Sequence, residues 1–130
     1  MIVIDTSAVL AILTGEPEAE AFNRRIAEDP EPVMSAGSYT EAGIVLQKRL
    51  GAAGLHYLLL FVSRAGIRIE PVTPEQAEEA VRSYARFGKG NHEAALNFGD
   101  CFVHALARER QAAVLYKGTD FARTDLEAAV

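Results

Sequence analysis

The 130-residue sequence has one cysteine, no tryptophan, and fewer basic than acidic side chains. Cys101 alone cannot form an intramolecular disulfide, and a reducing cytoplasm is the setting it fits. Long apolar runs are also missing. Even a run such as Leu58 to Val62 (LLLFV) falls far short of the roughly 20 residues that span a bilayer, so no membrane association is expected. The apolar N-terminus has no basic leader and is interrupted by Asp5, which argues against a signal peptide. Lys and Arg total 13 and Asp and Glu total 18, a formal charge of −5. That balance disfavours a general nucleic-acid coat protein. It leaves room for an enzyme that grips a phosphate backbone through a local basic patch, or that uses carboxylates to hold cations. No repeat, low-complexity tract or linker divides the chain, and one domain over residues 1–130 is expected.

What is present is an alternation of strand-like and helix-like segments. Met1 to Ile4 is continuous, apolar and β-branched, as a buried strand is. Ser7 to Leu13 reads as a short helix ended near Gly15 and Pro17, and Glu18 to Glu28 as a second, broken by Asp29-Pro30-Glu31-Pro32. Val33 and Met34 begin a strand. Ser38 to Leu50 is an amphipathic helix stopped by Gly51 and Gly54, and Leu55 to Arg64 an apolar one. Ile67 to Val72 (IRIEPV) alternates like a strand. Thr73 caps a helix with Pro74 at its first position, running to about Phe87. After the loop GKGNHEA, Asn97 starts a helix to about Arg110, Ala113 to Tyr116 forms a short strand, and GTDF follows. Such alternation predicts βα units and a short, mostly parallel sheet covered on both faces.

Ligands of such sheets bind beyond the carboxyl ends of the strands. Four acids occupy those places. Asp5 follows the first strand, Glu41 and Asp100 fall in the first turns of predicted helices, and Asp120 lies just past the last strand. Four gathered carboxylates repel one another unless a cation joins them. Oxygen-only ligation suits Mg²⁺ or Mn²⁺, ions that serve phosphoryl chemistry. Each acid taken singly also has a structural explanation. Ser38 and Glu41 have capping-box spacing, as do Asn97 and Asp100. Asp5 can cap the helix after it, and Asp120 can be a turn residue.

The segments MIVIDTSAVLAIL, MSAGSYTEAGIVL and GKGNHEAALNFGDCFVHALA followed by LYKGTDF resemble, over nearly the whole chain, the PIN-domain ribonucleases, and within them the VapC toxins of bacterial type II toxin–antitoxin pairs. The resemblance implies a three-layer α/β/α sandwich, usually a homodimer, that cleaves RNA with Mg²⁺ or Mn²⁺ and is inhibited by a VapB-like antitoxin. It assigns the family's first three acids to Asp5, Glu41 and Asp100. The chain departs at the fourth: many relatives carry an acid where Gly118 stands in KGTDF, so Asp120 substitutes for it, or Thr119 holds a water instead. Whether one metal or two is bound depends on that position.

On this reading Asp5 and Asp100 hold Mg²⁺, Glu41 completes the shell and helps deprotonate the attacking water, and Asp120 with Thr119 orients a second metal or a water. Thr6 or Ser7 supports Asp5 or contacts the phosphate. Lys89 and Lys117 are the expected RNA contacts, with Arg86 behind them, while His92 is expected to be solvated. His104 is expected in the core or at its margin, and Cys101 packed on an inner helix face. Arg24, Arg25, Lys48 and Arg49 read as solvated. The helix LHYLLLFV, with Tyr57 and Leu58 to Phe61, has apolar surface to spare for a dimer or antitoxin interface, or else simply fills the core. A receiver-type phosphoacceptor would need an aspartate ending a middle strand, and a haloacid-dehalogenase-like phosphatase D-x-D after its first strand; neither is present. The remaining rival is a degenerate PIN-like domain that binds RNA or a partner without cleaving, for which Gly118 is the one argument.

Overall fold

The computed structural model describes residues 1–130. Its elements, in chain order, are β1 (Ile2–Ile4), α1 (Thr6–Leu13), α2 (Ala19–Glu28), β2 (Pro32–Ser35), α3 (Ala36–Leu50), α4 (Ala52–Ala65), β3 (Arg68–Glu70), α5 (Pro74–Phe87), α6 (Phe98–Arg110), β4 (Ala113–Leu115) and a single 3₁₀ turn, Phe121–Arg123. The four strands form one parallel sheet in the order β3-β2-β1-β4. The first three strands add in one direction, and the chain then returns to place β4 on the other side of β1. This reversal makes a topological switch point at the carboxyl ends of β1 and β4, the crevice where parallel α/β sheets bind ligands.

β1, β2 and β4 are almost wholly apolar because each feeds two cores, while the edge strand β3 places only Ile69 against a core. Ile2, Ile4, Met34 and Leu115 pack with α1, α2, α3 and α4, while Val3, Val33 and Val114 pack with α5, α6 and Phe121. The expected α/β/α sandwich is therefore what the chain forms, and the period-2 alternation of strand side chains is what splits its core. After β4 the chain stays attached: Val114 N donates to Glu127 O at 2.9 Å and Ala129 N to Val114 O at 2.8 Å.

Three boundaries differ from the sequence-based expectation. The helix expected from Ser38 begins at Ala36, capped by Ser35, whose Oγ accepts the Gly37 N–H. Ser38 and Glu41 thus lie inside α3 and form no capping box; the strand hands straight over to the helix, and Ala36-Gly37 is a weak local helix signal. The helix expected from Leu55 begins at Ala52, and Gly54 lies within it. A Cβ there would fall 2.3 Å from the Leu46 carbonyl oxygen, so this glycine permits the close approach of α4 to α3 and does not end a helix. In IRIEPV only Arg68–Glu70 pairs as a strand. Thr73 and Asn97 cap α5 and α6 as expected, through Gln76 N at 3.1 Å and Asp100 N at 2.9 Å.

Candidate active site

Asp5 sits at the end of β1, tied to the neighbouring strand by its N–H to Leu115 O at 2.9 Å. Its buried carboxylate caps α1, accepting the Ser7 N–H at 3.0 Å and the Ser7 hydroxyl. The same Ser7 Oγ accepts the Lys117 N–H at 2.9 Å, which joins Asp5 to the loop leaving β4. Asp100 lies in the first turn of α6, where its carboxylate accepts the Asn97 N–H at 3.0 Å. The capping functions foreseen for Asp5 and Asp100 are therefore real, and they hold the two carboxylates within electrostatic reach of one another. Helix starts and strand ends share one edge of a parallel sheet, which is why caps and a polar site coincide here.

Glu41 reaches this edge from the second turn of α3. Its carboxylate lies over the α6 backbone at Gly99: a Cβ on that residue would be 2.5 Å from Oε2 and 2.9 Å from Oε1. Asp120, exposed in the segment after β4, completes the group. Burial, opposed by the Asn97 N–H and reinforced by the charges of Asp5, Asp120 and Glu41, pushes the Asp100 carboxyl up to about 7. Asp5 is likewise raised, chiefly by burial and further by Glu41, against the two Ser7 hydrogen bonds.

These acids are neighbours and not a closed cage: no three carboxylate, histidine or cysteine side chains converge tightly enough to hold an ion as they stand. Their chemistry nevertheless fits a hard divalent cation. All four offer only oxygen, and mutual repulsion is what a cation would relieve. One polar atom here is also left over. Ser38 Oγ, one turn before Glu41, is the single buried side-chain nitrogen or oxygen without a hydrogen-bond partner, in a residue whose carbonyl accepts from Thr6 Oγ1 at 3.0 Å.

The other sequence candidates divide. Ser7 bonds Asp5, whereas the Thr6 hydroxyl is committed to Ser38 O and ties α1 to α3. Thr119 is exposed beside Asp120 and its carbonyl accepts from Ala122 N at 3.2 Å. The Lys117 ammonium is paired with Glu16 and with Glu18, the latter at 3.1 Å, so it does not face the acids. Lys89 is exposed in the loop between α5 and α6. His92 is not free in solvent: its Nδ1 accepts the Ala94 N–H at 3.0 Å and its ring stands edge-on to Phe87. Arg25 is not simply solvated either, since it binds Asp29 and Ala129 O, both at 3.1 Å. Cys101 is buried against the Asn97 carbonyl, and burial together with Asp100 pushes its thiol up to about 11, so it is an inert packing residue. His104 is fully buried. Sequence inspection passed over Gly99; its only signal was a glycine directly before a helix-capping acid. Gly99→Ala is expected to cut activity at least about tenfold by pushing Glu41 off the site, while helix propensity alone favours Ala by up to about 1 kcal/mol. Parallel unfolding and cleavage assays check this; unchanged cleavage would mean that Glu41 moves at no cost.

Comparison with known proteins agrees with this geometry. The PIN domain family model matches residues 2–127. The chain is 46% identical over 126 residues to a protein named Ribonuclease VapC from Mycolicibacterium smegmatis, covering 97% of this chain and 98% of that one. It is 42% identical over 124 residues to Ribonuclease VapC30 of Mycobacterium tuberculosis, covering 95% of each. Among solved structures, the Mycobacterium tuberculosis VapC20 toxin, described as cleaving the sarcin-ricin loop, superposes with a TM-score of 0.78 at 21% identity over 97% of this chain and 96% of that one. VapBC2 from Rickettsia felis, solved bound to a promoter DNA fragment, gives a TM-score of 0.76 at 16% identity, covering 98% of this chain and 97% of that one. With a family match along nearly its whole length and relatives above 40% identity, this chain belongs to the PIN domain family.

Proposed function

We propose that this chain is a metal-dependent endoribonuclease of the VapC type, the toxin of a toxin–antitoxin pair. The observation that carries the reading is the convergence of Asp5, Glu41, Asp100 and Asp120, four acids remote in sequence; burial first, and then the charges of the other three, push the Asp100 carboxyl up to about 7. Asp5 and Asp100 would hold Mg²⁺ or Mn²⁺, with Glu41 completing the set. When bound, such an ion stabilises charge on the transferring phosphoryl group and lowers the pKa of water. The protein's own part is positional. Ser7 keeps the Asp5 carboxylate turned to the crevice, and the α6 cap does so for Asp100. Glu41 accepts the proton of the attacking water at a carboxylate oxygen, and Asp120 with Thr119 orients that water or a second ion. Lys89 remains the better phosphate contact, because Lys117 must first leave Glu16 and Glu18.

Partners follow from surface chemistry. A groove of about 950 Å³ lined by Leu13, Ile26, Leu50, Tyr57, Leu60 and Phe61 supports an apolar antitoxin segment as its occupant. Leu58 does not contribute to it, because it is fully buried in the core. Val81, Tyr84 and Phe98, exposed on α5 and α6, supply an apolar face for a second copy. A solved toxin–antitoxin complex from Klebsiella pneumoniae contains a chain of the same fold, with a TM-score of 0.76 at 17% identity over 100% of this chain and 98% of that one. The absence of an acid at Gly118 favours the second reading, an RNA- or partner-binding domain without cleavage. Assaying cleavage of total RNA separates the two. The nuclease is expected to cut with Mg²⁺ or Mn²⁺ and to stop with excess chelator. RNA binding without cleavage under every metal condition would establish the second reading.

A further inference from the structure

We propose that Asp125, held by His104, is a positioning residue: their contact locks the C-terminal segment that carries Asp120 against α6, the helix that carries Asp100. The proposal rests on the nuclease reading for its purpose and on geometry for its content. Asp120 is exposed and makes no hydrogen bond that caps the 3₁₀ turn after it, so its place beside Asp100 is set by the backbone on which it rides. That backbone is anchored by buried Phe121, stacked edge-on against Tyr116 at 5.3 Å, and by Asp125. One Asp125 oxygen takes His104 Nε2 at 2.9 Å, while the other takes Arg108 at 2.5 Å and Arg86 at 3.5 Å.

His104 is fully buried and lies one helical turn beyond Asp100 on α6. Its ring is fixed from both sides. Asp125 accepts at Nε2, which therefore carries the proton, and the Ser83 hydroxyl of α5 meets Nδ1 at 2.7 Å. Burial lowers its pKa and so favours the neutral ring. Glu79 holds Arg108 from the other side at 3.2 Å, so α5, α6 and the tail meet in one polar knot. Only His104 and Ser83 of this knot are buried, while Asp125 and the arginines lie toward the surface, where ion pairs add little net stability. What the knot adds is a single register for the segment it ties. The β4 bridges at Glu127 and Ala129 hold the chain end independently, so losing the knot frees residues 119–125 alone.

The test uses the whole chain with Mn²⁺ as probe. In metal-free protein, Asp125→Ala is expected to speed amide exchange at Ala122 and Thr124 about tenfold, equivalent to about 1.4 kcal/mol, with α6 and β1 amides unchanged. The Mn²⁺ concentration that half-stabilises the protein against heat should rise several-fold. His104→Leu, which fills the space without a donor, should act in the same direction and serves if Asp125→Ala does not fold. His104→Gln, which keeps a donor near the Nε2 position, should restore both readouts. Exchange raised uniformly through the molecule, or a Mn²⁺ midpoint that does not move, would overturn the positioning role while leaving the nuclease reading intact. A wild-type protein with no Mn²⁺ response would overturn the nuclease reading and the purpose of the knot with it.

Discussion

Asp100→Asn is expected to reduce metal-dependent RNA cleavage by about a thousandfold or more. A bound divalent ion contributes several kcal/mol of charge stabilisation in phosphoryl transfer, and about 1.36 kcal/mol corresponds to each factor of ten in rate. Asn keeps the shape of Asp100 and can still accept the Asn97 N–H through its amide oxygen, so the α6 cap survives. The variant therefore separates the two functions that one carboxylate combines. Asp5→Asn should behave alike, because the Ser7 N–H and hydroxyl can bond an amide oxygen in place of the carboxylate. The measurement is the initial rate of cleavage of a labelled RNA at saturating Mg²⁺, with circular dichroism to confirm the fold. A loss of less than about tenfold would leave Asp100 a capping residue and remove the basis of the metal site.

The second large effect is on stability. In chelator, Asp100→Asn is expected to be more stable than wild type at pH 8, with the advantage fading toward pH 5. The folded Asp100 carboxyl titrates at about 7, above the roughly 3.9 of an unfolded chain. Between those values the folded state binds more protons, so wild-type stability falls as pH rises through that window. The gap sets an upper bound of about 4 kcal/mol, and solvent screening at the open crevice brings the expected effect nearer 1–2 kcal/mol. Asp5 shifts the same way. Asp125 and His104 work in the opposite sense: both are held below their ordinary values, so their contribution is full at neutral pH and is lost as the solution is acidified. Removing the Asp100 charge should leave that acid-labile behaviour exposed, so the variant loses stability steadily from pH 7 to 5 while wild type changes little. Saturating Mn²⁺ should reverse the order at pH 8, since a ligand at 100 times its Kd stabilises by about 2.7 kcal/mol and the variant has lost a ligand. Urea unfolding at four pH values, with chelator and with Mn²⁺, checks both signs. A loss of up to about 1 kcal/mol at pH 8, in place of a gain, would mean that the Asp100 charge serves only the α6 dipole.

Much of this was open to reading from local pattern. The continuous apolar run Ile2–Ile4, the Thr73-Pro74 helix start and the Asn97–Asp100 capping box each depend on neighbours within one turn, and each formed as the residues dictated. The errors were local too. Gly54 looked like a helix end because its role depends on a partner helix, α3, that no short window contains. The alternative of a capping box at Ser38 and Glu41 fails because Ser35, buried at a strand end, already caps α3.

The chain by itself determined that Asp5, Asp100 and Asp120 would stand at or just past strand ends and helix starts, because period, capping and turn chemistry are properties of adjacent residues, whereas Glu41 lies a turn deeper in α3 than its spacing suggests. Only the tertiary structure decided that they meet. The return of the chain to place β4 beside β1 brings Asp120 within electrostatic reach of Asp100. The bare backbone at Gly99 lets Glu41 lie over α6. The knot of Asp125 with His104, Ser83, Arg108 and Arg86 had no sequence signal. The physical reason is the same in each case: electrostatic and packing energies depend on distance in space, and distance in space is set by sheet order and helix crossings that no local stretch of sequence encodes.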